Sequence, residues 1–308
     1  MSAAPRWPSL ATSVGDVAVT NLFMTASGTA GHGAELAGYG DLTQLGAVVT
    51  KSLAAFEWAG NAAPRVAPAG ASMINAVGLS GPGVPRWIET GYRELRESGA
   101  TVVASIWGRT VDEFAAAARA LDGLSLAAVE INASCPNLES RNAIFANSPD
   151  ATRAILDATR GLQVPRWVKL TTTAPLLLDV VAASMESGAD AITLGNTLTG
   201  MVIDLETRRP ILGNGGGGVS GEAARAVAVR AVYDVRSAYP SLPLIGAGGV
   251  MTARDALALV MAGADAVQIG TATFSHPRAA WKISAATHRW LRRHGYHSIT
   301  ELQGVAHG

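Results

Sequence analysis

The sequence contains few of the residues on which several classes of protein depend. It has one cysteine, Cys135, which excludes an intrachain disulfide and a cysteine-rich metal site. Lysine plus arginine and aspartate plus glutamate number 24 each, so the basic surplus of a general nucleic-acid or anionic-membrane binder is missing. No apolar run reaches the roughly 18 residues of a transmembrane helix, and the N-terminal segment lacks the apolar core of a signal peptide. We therefore expect a cytoplasmic protein that binds neither a membrane nor nucleic acid.

The sequence does contain short β-rich runs that alternate with helical patterns. The runs are mostly apolar throughout, which is typical of parallel strands covered on both faces. The predicted strands are 21–27, 46–52, 101–108, 127–134, 166–172, 191–196, 243–249 and 266–272. The predicted helices are 85–98, 111–121, 149–161, 177–187, 220–238, 252–262 and 277–293, and the pattern at 34–45 is weaker.

This alternation predicts an α/β protein with a parallel sheet, and eight strands favour a closed barrel over an open sheet. An internal repeat agrees, because GADAITLG at 188–195 resembles GADAVQIG at 263–270, two βα units later. We predict one (β/α)8 barrel domain over residues 1–308, with a small hairpin from residues 9–20 beneath it. Long connections follow strands two, four and six, at 53–84, 135–148 and 197–219. Connections after strands lie on the catalytic face of such a barrel, so these loops predict the position of the site.

Polar residues stand where several predicted strands end. Lys51 and Lys169 lie in the apolar runs VVTKS and WVKLT, and buried lysines are rare unless they are paired. Two of them at matching positions predict an anionic ligand, although a surface or capping role is the alternative for either one. The polar residues at the strand ends are Ser27, Lys51, Asn132, Lys169 and Asn196.

Glycines follow the last two strands, as Gly248–Gly249 and Gly270–Thr271. Their backbone N–H groups are able to hold a phosphate, and the loops after strands seven and eight are the commonest phosphate site of such barrels. The alternative is that these glycines only make turns.

Cys135 and Asn75 are the remaining candidates. Cys135 lies past a strand end in NASCPN, where a thiol is able to act as a nucleophile or a base; the alternative is an inert core cysteine. Asn75 lies in a long loop, either as a polar anchor over the mouth of the barrel or as part of an Asx turn.

Together these motifs resemble the dihydroorotate dehydrogenase family over residues 9–305. The matching segments are ASGTAGHG at 26–33, TKS at 50–52, NAVGL at 75–79, NASCPN at 132–137, VKL at 168–170, GNTLTG at 195–200, GGVSG at 217–221, GAGGV at 246–250 and IGTA at 269–272. The resemblance implies an FMN-containing (β/α)8 barrel that oxidises dihydroorotate to orotate in pyrimidine biosynthesis. Cysteine at 135 is similar to the class 1 enzymes, and ASGTAGHGAE and NAVGL look like the type that passes electrons to NAD through an iron–sulfur/FAD subunit.

The resemblance also implies roles for individual residues. Cys135 would be the catalytic base, and we expect a homodimer. The residues that would contact FMN are Ser27, Lys51, Asn132, Lys169, Gly221, Gly248, Gly249, Gly270 and Thr271. Those that would hold the substrate are Lys51, Asn75, Ala76, Val77, Gly78, Leu79, Asn132, Asn196 and Thr197.

Other readings stay open at this point. Loops 80–83, 138–147 and 171–174 depart from the family pattern, which leaves room for a related FMN oxidoreductase acting on another dihydropyrimidine or on an enone. A flavin-free phosphate-binding barrel with a Schiff-base lysine at Lys169 is a second alternative, and a non-catalytic binding protein is a third.

Overall fold

Eight parallel strands form the centre of the protein. The computed structural model describes residues 7–134 and 144–308. The strands are β1 (Phe23–Thr25), β2 (Val48–Val49), β3 (Val102–Ile106), β4 (Ala128–Asn132), β5 (Arg166–Leu170), β6 (Ala191–Leu194), β7 (Leu244–Ala247) and β8 (Ala266–Ile269). They pair in the order β1-β8-β7-β6-β5-β4-β3-β2. A parallel bridge between Met24 on β1 and Ala47, just before β2, closes the sheet into a barrel. The predicted (β/α)8 barrel is therefore confirmed, while its extent over residues 1–308 stays a prediction.

Helices cover the outside of the barrel close to their predicted positions. The α-helices are Val111–Ala120, Pro149–Ala158, Leu177–Glu186, Arg225–Ala238, Ala253–Met261, Ala272–Ser275 and Ala279–Arg293, with Val84–Trp87 and Arg93–Glu97 joined by a π-helix at Ile88–Tyr92. The 3-10 helices are Glu35–Gly38, Leu42–Gln44, Phe145–Asn147, Glu222–Ala224, Ile299–Leu302 and Val305–His307. The weak pattern at 34–45 thus forms two short 3-10 turns. Within residues 7–134 and 144–308, no helix has the length and apolar character needed to cross a lipid bilayer.

Local sequence explains where two of these helices begin. Thr252 forms a capping box with Asp255, as its position before Ala253–Met261 predicts. The helix predicted from residue 220 begins only at Arg225, because Gly217–Gly221 is a strand and a 3-10 turn follows it.

The lower end of the barrel is closed by the predicted hairpin. Its strands, Thr12–Val14 and Val17–Val19, pair antiparallel. Val14 and Val19 pack against inward-facing residues near the start of the barrel strands, among them Met24 and Trp167. This apolar layer leaves the opposite end, where the strands finish, as the mouth of the barrel.

A second sheet lies in the connections after β2 and β6, and the sequence does not predict it. Its four antiparallel strands are, in order, Leu198–Gly200, Gly217–Gly221, Ser72–Asn75 and Val66–Ala69. Another pair, Ile203–Asp204 and Arg209–Pro210, extends from the same connection. Close packing explains the glycines here, since a Cβ on Gly218 would lie 1.9 Å from Thr197 Oγ1. We call the four strands the mouth sheet.

Candidate functional site at the barrel mouth

A chain of hydrogen bonds crosses the mouth of the barrel. Ser27 Oγ lies 3.1 Å from Ser52 Oγ, and Asn132 Nδ2 donates to the same Ser52 oxygen at 3.0 Å. Ser134 Oγ donates to Asn132 Oδ1 at 2.6 Å, and Lys169 Nζ donates to Ser134 Oγ at 3.2 Å. Strands β1, β4 and β5 thus bring together Ser27, Asn132 and Lys169, which the sequence predicts at one mouth.

The two mouth lysines form no ion pair with any carboxylate in residues 7–134 and 144–308. Lys169 is 8% exposed, while the half-buried Lys51 donates to the carbonyl of Ser80 and, at 2.9 Å, to its hydroxyl. Burial, together with the charge of Arg65, lowers the pKa of Lys51. Neither ammonium forms a salt bridge with a carboxylate in the described part of the chain. Because a desolvated cation needs a counter-charge, this arrangement favours an anionic ligand.

The mouth sheet brings together predicted substrate residues from distant parts of the chain. Asn75 pairs with Gly218 and donates through Nδ2 to the Gly218 carbonyl at 3.2 Å, so it is a strand residue and not part of an Asx turn. Thr197 packs against the same glycine. On the next segment, Trp58 Nε1 donates to the Gly78 carbonyl at 3.0 Å. Leu79 has a left-handed φ of 60°, a strained conformation that often marks a functional loop.

Four of the predicted FMN residues surround the start of helix Arg225–Ala238. A Cβ on Gly249 would lie 2.5 Å from Arg225 Cα, and one on Gly221 would lie 3.4 Å from Thr271 Cγ2. Within the described residues, the backbone N–H groups of Gly249, Gly270 and Thr271 donate no hydrogen bond, and the helix has no side-chain N-cap. Free N–H groups beside a helix N-terminus form the environment that a phosphate prefers.

Cys135 lies outside the described residues, so its predicted role stays a prediction. It follows Ser134, which is 5% exposed and whose carbonyl accepts a hydrogen bond from Asn196 Nδ2 at 3.2 Å. The side chain of Asn196 therefore contacts the residue that directly precedes the cysteine.

Four polar residues at the mouth are missed by the sequence analysis: Ser52, Ser80, Ser134 and His32. Ser52 and Ser134 stand next to or near predicted site residues in TKS and NASCPN, which is the signal that could have identified them. Ser80 directly follows Leu79, and His32 lies in ASGTAGHG, but only the folded chain shows that both approach Lys51.

His32 is a half-buried imidazole near Lys51. Its Nε2 atom has no hydrogen-bond partner among the described residues, and its backbone N–H donates to Glu35 Oε1 at 2.9 Å. Burial first, and then the charge of Lys51, lower the pKa of His32 to about 4, with Glu35 opposing them. The ring is therefore neutral near pH 7.

This depressed pKa predicts how stability depends on pH. Between about pH 4 and pH 6.5 the unfolded chain, with an ordinary histidine pKa of 6.5, binds more protons at this position than the folded chain. The contribution of His32 to stability is complete above pH 6.5 and decreases as the pH falls through that window. We expect a His32→Gln variant to lose less stability than the wild type between pH 7 and pH 4.5, measured by urea unfolding. An equal loss in both proteins would contradict the assignment.

The fold and the mouth define a class of protein: a (β/α)8 barrel whose mouth lysines and glycine-rich loops suit an anionic ligand. A family model of dihydroorotate dehydrogenase matches residues 9–291. The chain belongs to the dihydroorotate dehydrogenase family, which confirms the resemblance seen in its sequence.

Individual relatives extend over nearly the whole chain. It is 44% identical over 299 residues to the dihydroorotate dehydrogenase B (NAD(+)) catalytic subunit of Desulforudis audaxviator, with 96% of this chain and 97% of the relative covered. It is 42% identical over 309 residues to the protein of the same name from Citrifermentans bemidjiense, with coverages of 97% and 98%.

Proposed function

We propose that this chain oxidises dihydroorotate to orotate, with FMN bound at the mouth of the barrel, as a step of pyrimidine biosynthesis. The observation that carries this proposal is the pair of lysines at the mouth, Lys51 and Lys169, whose ammonium groups contact serine oxygens and form no ion pair with a described carboxylate. An ammonium group suits the carboxylate of dihydroorotate, and the asparagines Asn75, Asn132 and Asn196 match the donors and acceptors of its imide ring. The names of the relatives agree with this substrate.

The glycine-rich loops support FMN as the cofactor. Gly249, Gly270 and Thr271 offer N–H groups without a described partner to its phosphate, while Ser27, Asn132 and Lys169 offer further polar groups at the mouth. FMN, when bound, supplies the acceptor for the hydride that leaves C6 of the substrate.

The proton chemistry is assigned to Cys135. The thiolate takes the proton from C5 of dihydroorotate, while Lys51 and the asparagines hold the ring in position. Asn132 and Ser134 stand just before Cys135 in the chain, so their hydrogen bonds also fix the start of the segment that carries the base.

The relatives are named as NAD(+) enzymes and as catalytic subunits, which supports a second, electron-transfer subunit. We assign to it the iron–sulfur and FAD groups that the sequence resemblance implies. The homodimer and the cytoplasmic location expected from the sequence belong to the same proposal.

Anaerobic mixing with dihydroorotate tests the function. The purified protein should be yellow, and dihydroorotate should bleach the flavin absorbance with the formation of one orotate per FMN. Dihydrouracil is the matched control, because it lacks the carboxylate that Lys51 would bind. Bleaching by dihydrouracil at the same rate, or no bleaching by dihydroorotate, would reject the proposed substrate.

Thr271→Pro tests the phosphate site specifically. Proline fixes φ near −65° and removes the backbone N–H; Thr271 already has a φ of −52°, and its N–H makes no hydrogen bond to a described residue. We expect a folded protein whose dissociation constant for FMN is about tenfold or more above that of the wild type, because a hydrogen bond to a charged group contributes about 1.5–3 kcal/mol.

Thr271→Ala is the control for this variant, since it keeps the N–H and removes only the side chain. Gly249 is less suitable for the test: its φ is 71° and a Cβ there would meet the backbone of Arg225, so a substitution would disturb the helix as well. Unchanged FMN affinity in a folded Thr271→Pro protein would remove this loop from the phosphate site.

A further inference from the structure

We propose that Glu130, a carboxylate buried inside the barrel, is a positioning residue that sets the direction of the hydrogen-bond chain orienting Asn132. Glu130 lies on β4 two residues before Asn132, on the same face of the strand, and none of its surface is exposed. This role rests on the function proposed above, which assigns Asn132 to both the substrate and FMN.

Three donors converge on the carboxylate. Ser105 Oγ donates to Oε1 at 3.2 Å, and Thr193 Oγ1 and Gln268 Nε2 donate to Oε2 at 3.3 and 2.7 Å. No described cation forms a salt bridge with Glu130. A buried carboxylate without a cation depends on such donors, because leaving its oxygens unbonded is costly.

The orientation of Gln268 shows how strongly the carboxylate acts. Gln268 directs its amide nitrogen to Glu130, although this leaves its own buried Oε1 without a partner among the described residues. An amide nitrogen only donates, so at this contact the oxygen of Glu130 is the acceptor.

The direction of the remaining bonds follows from the number of hydrogens. Ser105 has one hydroxyl hydrogen, and Glu130 accepts it, so the bond of 2.9 Å between Ser52 Oγ and Ser105 Oγ must have Ser52 as its donor. The oxygen of Ser52 is then left to accept, and it accepts from Asn132 Nδ2 at 3.0 Å.

The direction of these hydrogen bonds fixes the orientation of the Asn132 amide. Its nitrogen points to Ser52 and its oxygen accepts from Ser134, so one N–H and one lone pair are left for a ligand in a defined arrangement. Without an acceptor-only group beside Ser105, the hydroxyls of Ser105 and Ser52 are free to reverse, and the amide of Asn132 is then held only from the side of Ser134 and Lys169. Glu130 thus acts on the ligand through Ser105 and Ser52.

Four holoprotein variants test this role. Glu130→Gln keeps the shape of the side chain but adds a donor, and Ser105→Ala cuts the chain between Glu130 and Ser52. Each is expected to raise the dissociation constant of orotate, measured from its perturbation of the flavin spectrum, roughly tenfold. The double variant should bind orotate no more weakly than either single variant, since both act through the same chain.

Thr193→Val is the matched control. It removes a hydrogen bond from the other oxygen of the same carboxylate, away from Ser105 and Ser52, so it should alter thermal stability while orotate affinity stays within about twofold of the wild type. A purely structural role for Glu130 predicts instead that the losses of affinity follow the losses of stability in all variants.

Several results would overturn the role of Glu130: wild-type orotate affinity in Ser105→Ala, additive losses in the double variant, or an equal loss in Thr193→Val. If Glu130→Gln fails to fold, the comparison of orotate affinity between Ser105→Ala and Thr193→Val is sufficient to test the role of Glu130. A wild-type protein that dihydroorotate does not bleach would reject the proposed function separately. The dissociation constants of FMN in the same variants would then decide the role of Glu130, with a several-fold rise expected in Ser105→Ala and none in Thr193→Val.

Discussion

In a Cys135→Ala holoprotein, we expect dihydroorotate to reduce the flavin about 10²- to 10⁴-fold more slowly than in the wild type, which is the usual contribution of a general base. The substitution removes the proposed base for the C5 proton and leaves Asn132, Ser134 and Lys169 in place. FMN content and orotate affinity should therefore stay close to wild type. Anaerobic stopped-flow absorbance measures the rate, and titration with orotate measures the affinity.

The pH dependence of flavin reduction gives a second test of Cys135 as the base. An ordinary cysteine thiol has a pKa of about 8.5, so the fraction of thiolate, and with it the rate of flavin reduction, should rise into the alkaline range and then level off. Cys135→Ser is the control with the same shape; it should retain activity only at higher pH because a hydroxyl is a far weaker acid. Flavin reduction at a near wild-type rate in Cys135→Ala would refute both the base assignment and the class 1 mechanism.

The second large effect concerns the mouth lysines, which are two of only three lysines in the chain. Lys169→Ala should raise the dissociation constant of FMN roughly 10- to 150-fold, because the loss of a hydrogen bond from a charged donor costs about 1.5–3 kcal/mol. Lys51→Ala should weaken both FMN and orotate, since Lys51 is held by Ser80 beside the predicted substrate loop. Fluorescence of released FMN and orotate titrations separate the two effects.

The third lysine provides the control for these variants. Lys282 lies exposed on helix Ala279–Arg293, so Lys282→Ala changes the net charge equally without changing the mouth. Wild-type affinities in either mouth variant, or losses of the same size in Lys282→Ala, would remove the corresponding lysine from the site.

The barrel can be predicted from the sequence because each parallel strand is covered on both faces and therefore consists of a continuous apolar run. The same reasoning places Lys51, Asn132 and Lys169, since the carboxyl ends of parallel strands meet at one edge. Glu130 is also noticeable in the sequence, because it is a charged residue inside the otherwise mostly apolar run AAVEINAS.

The mouth sheet could not be predicted in the same way. One of its two central strands, Gly217–Gly221, contains three glycines among five residues, so it lacks the side-chain alternation by which a strand is recognised. Its partner Asn75 lies 143 residues away from Gly218 in the chain, and only the barrel brings them together. Ser52, Ser80 and Ser134 are missed for a related reason: a serine shows its role through its partners, which only the folded chain brings close.

The pairing of distant strands in the mouth sheet has a consequence for synthesis of the protein. As the chain emerges from the ribosome, Ser72–Asn75 is able to pair at once with Val66–Ala69, but its other neighbour, Gly217–Gly221, follows only after β6 has been made. Pairing of β1 with β8 comes later still. Nascent chains that end before residue 217 therefore lack the strand against which Asn75 is held, so the ability to bind substrate is acquired late in translation, together with closure of the barrel.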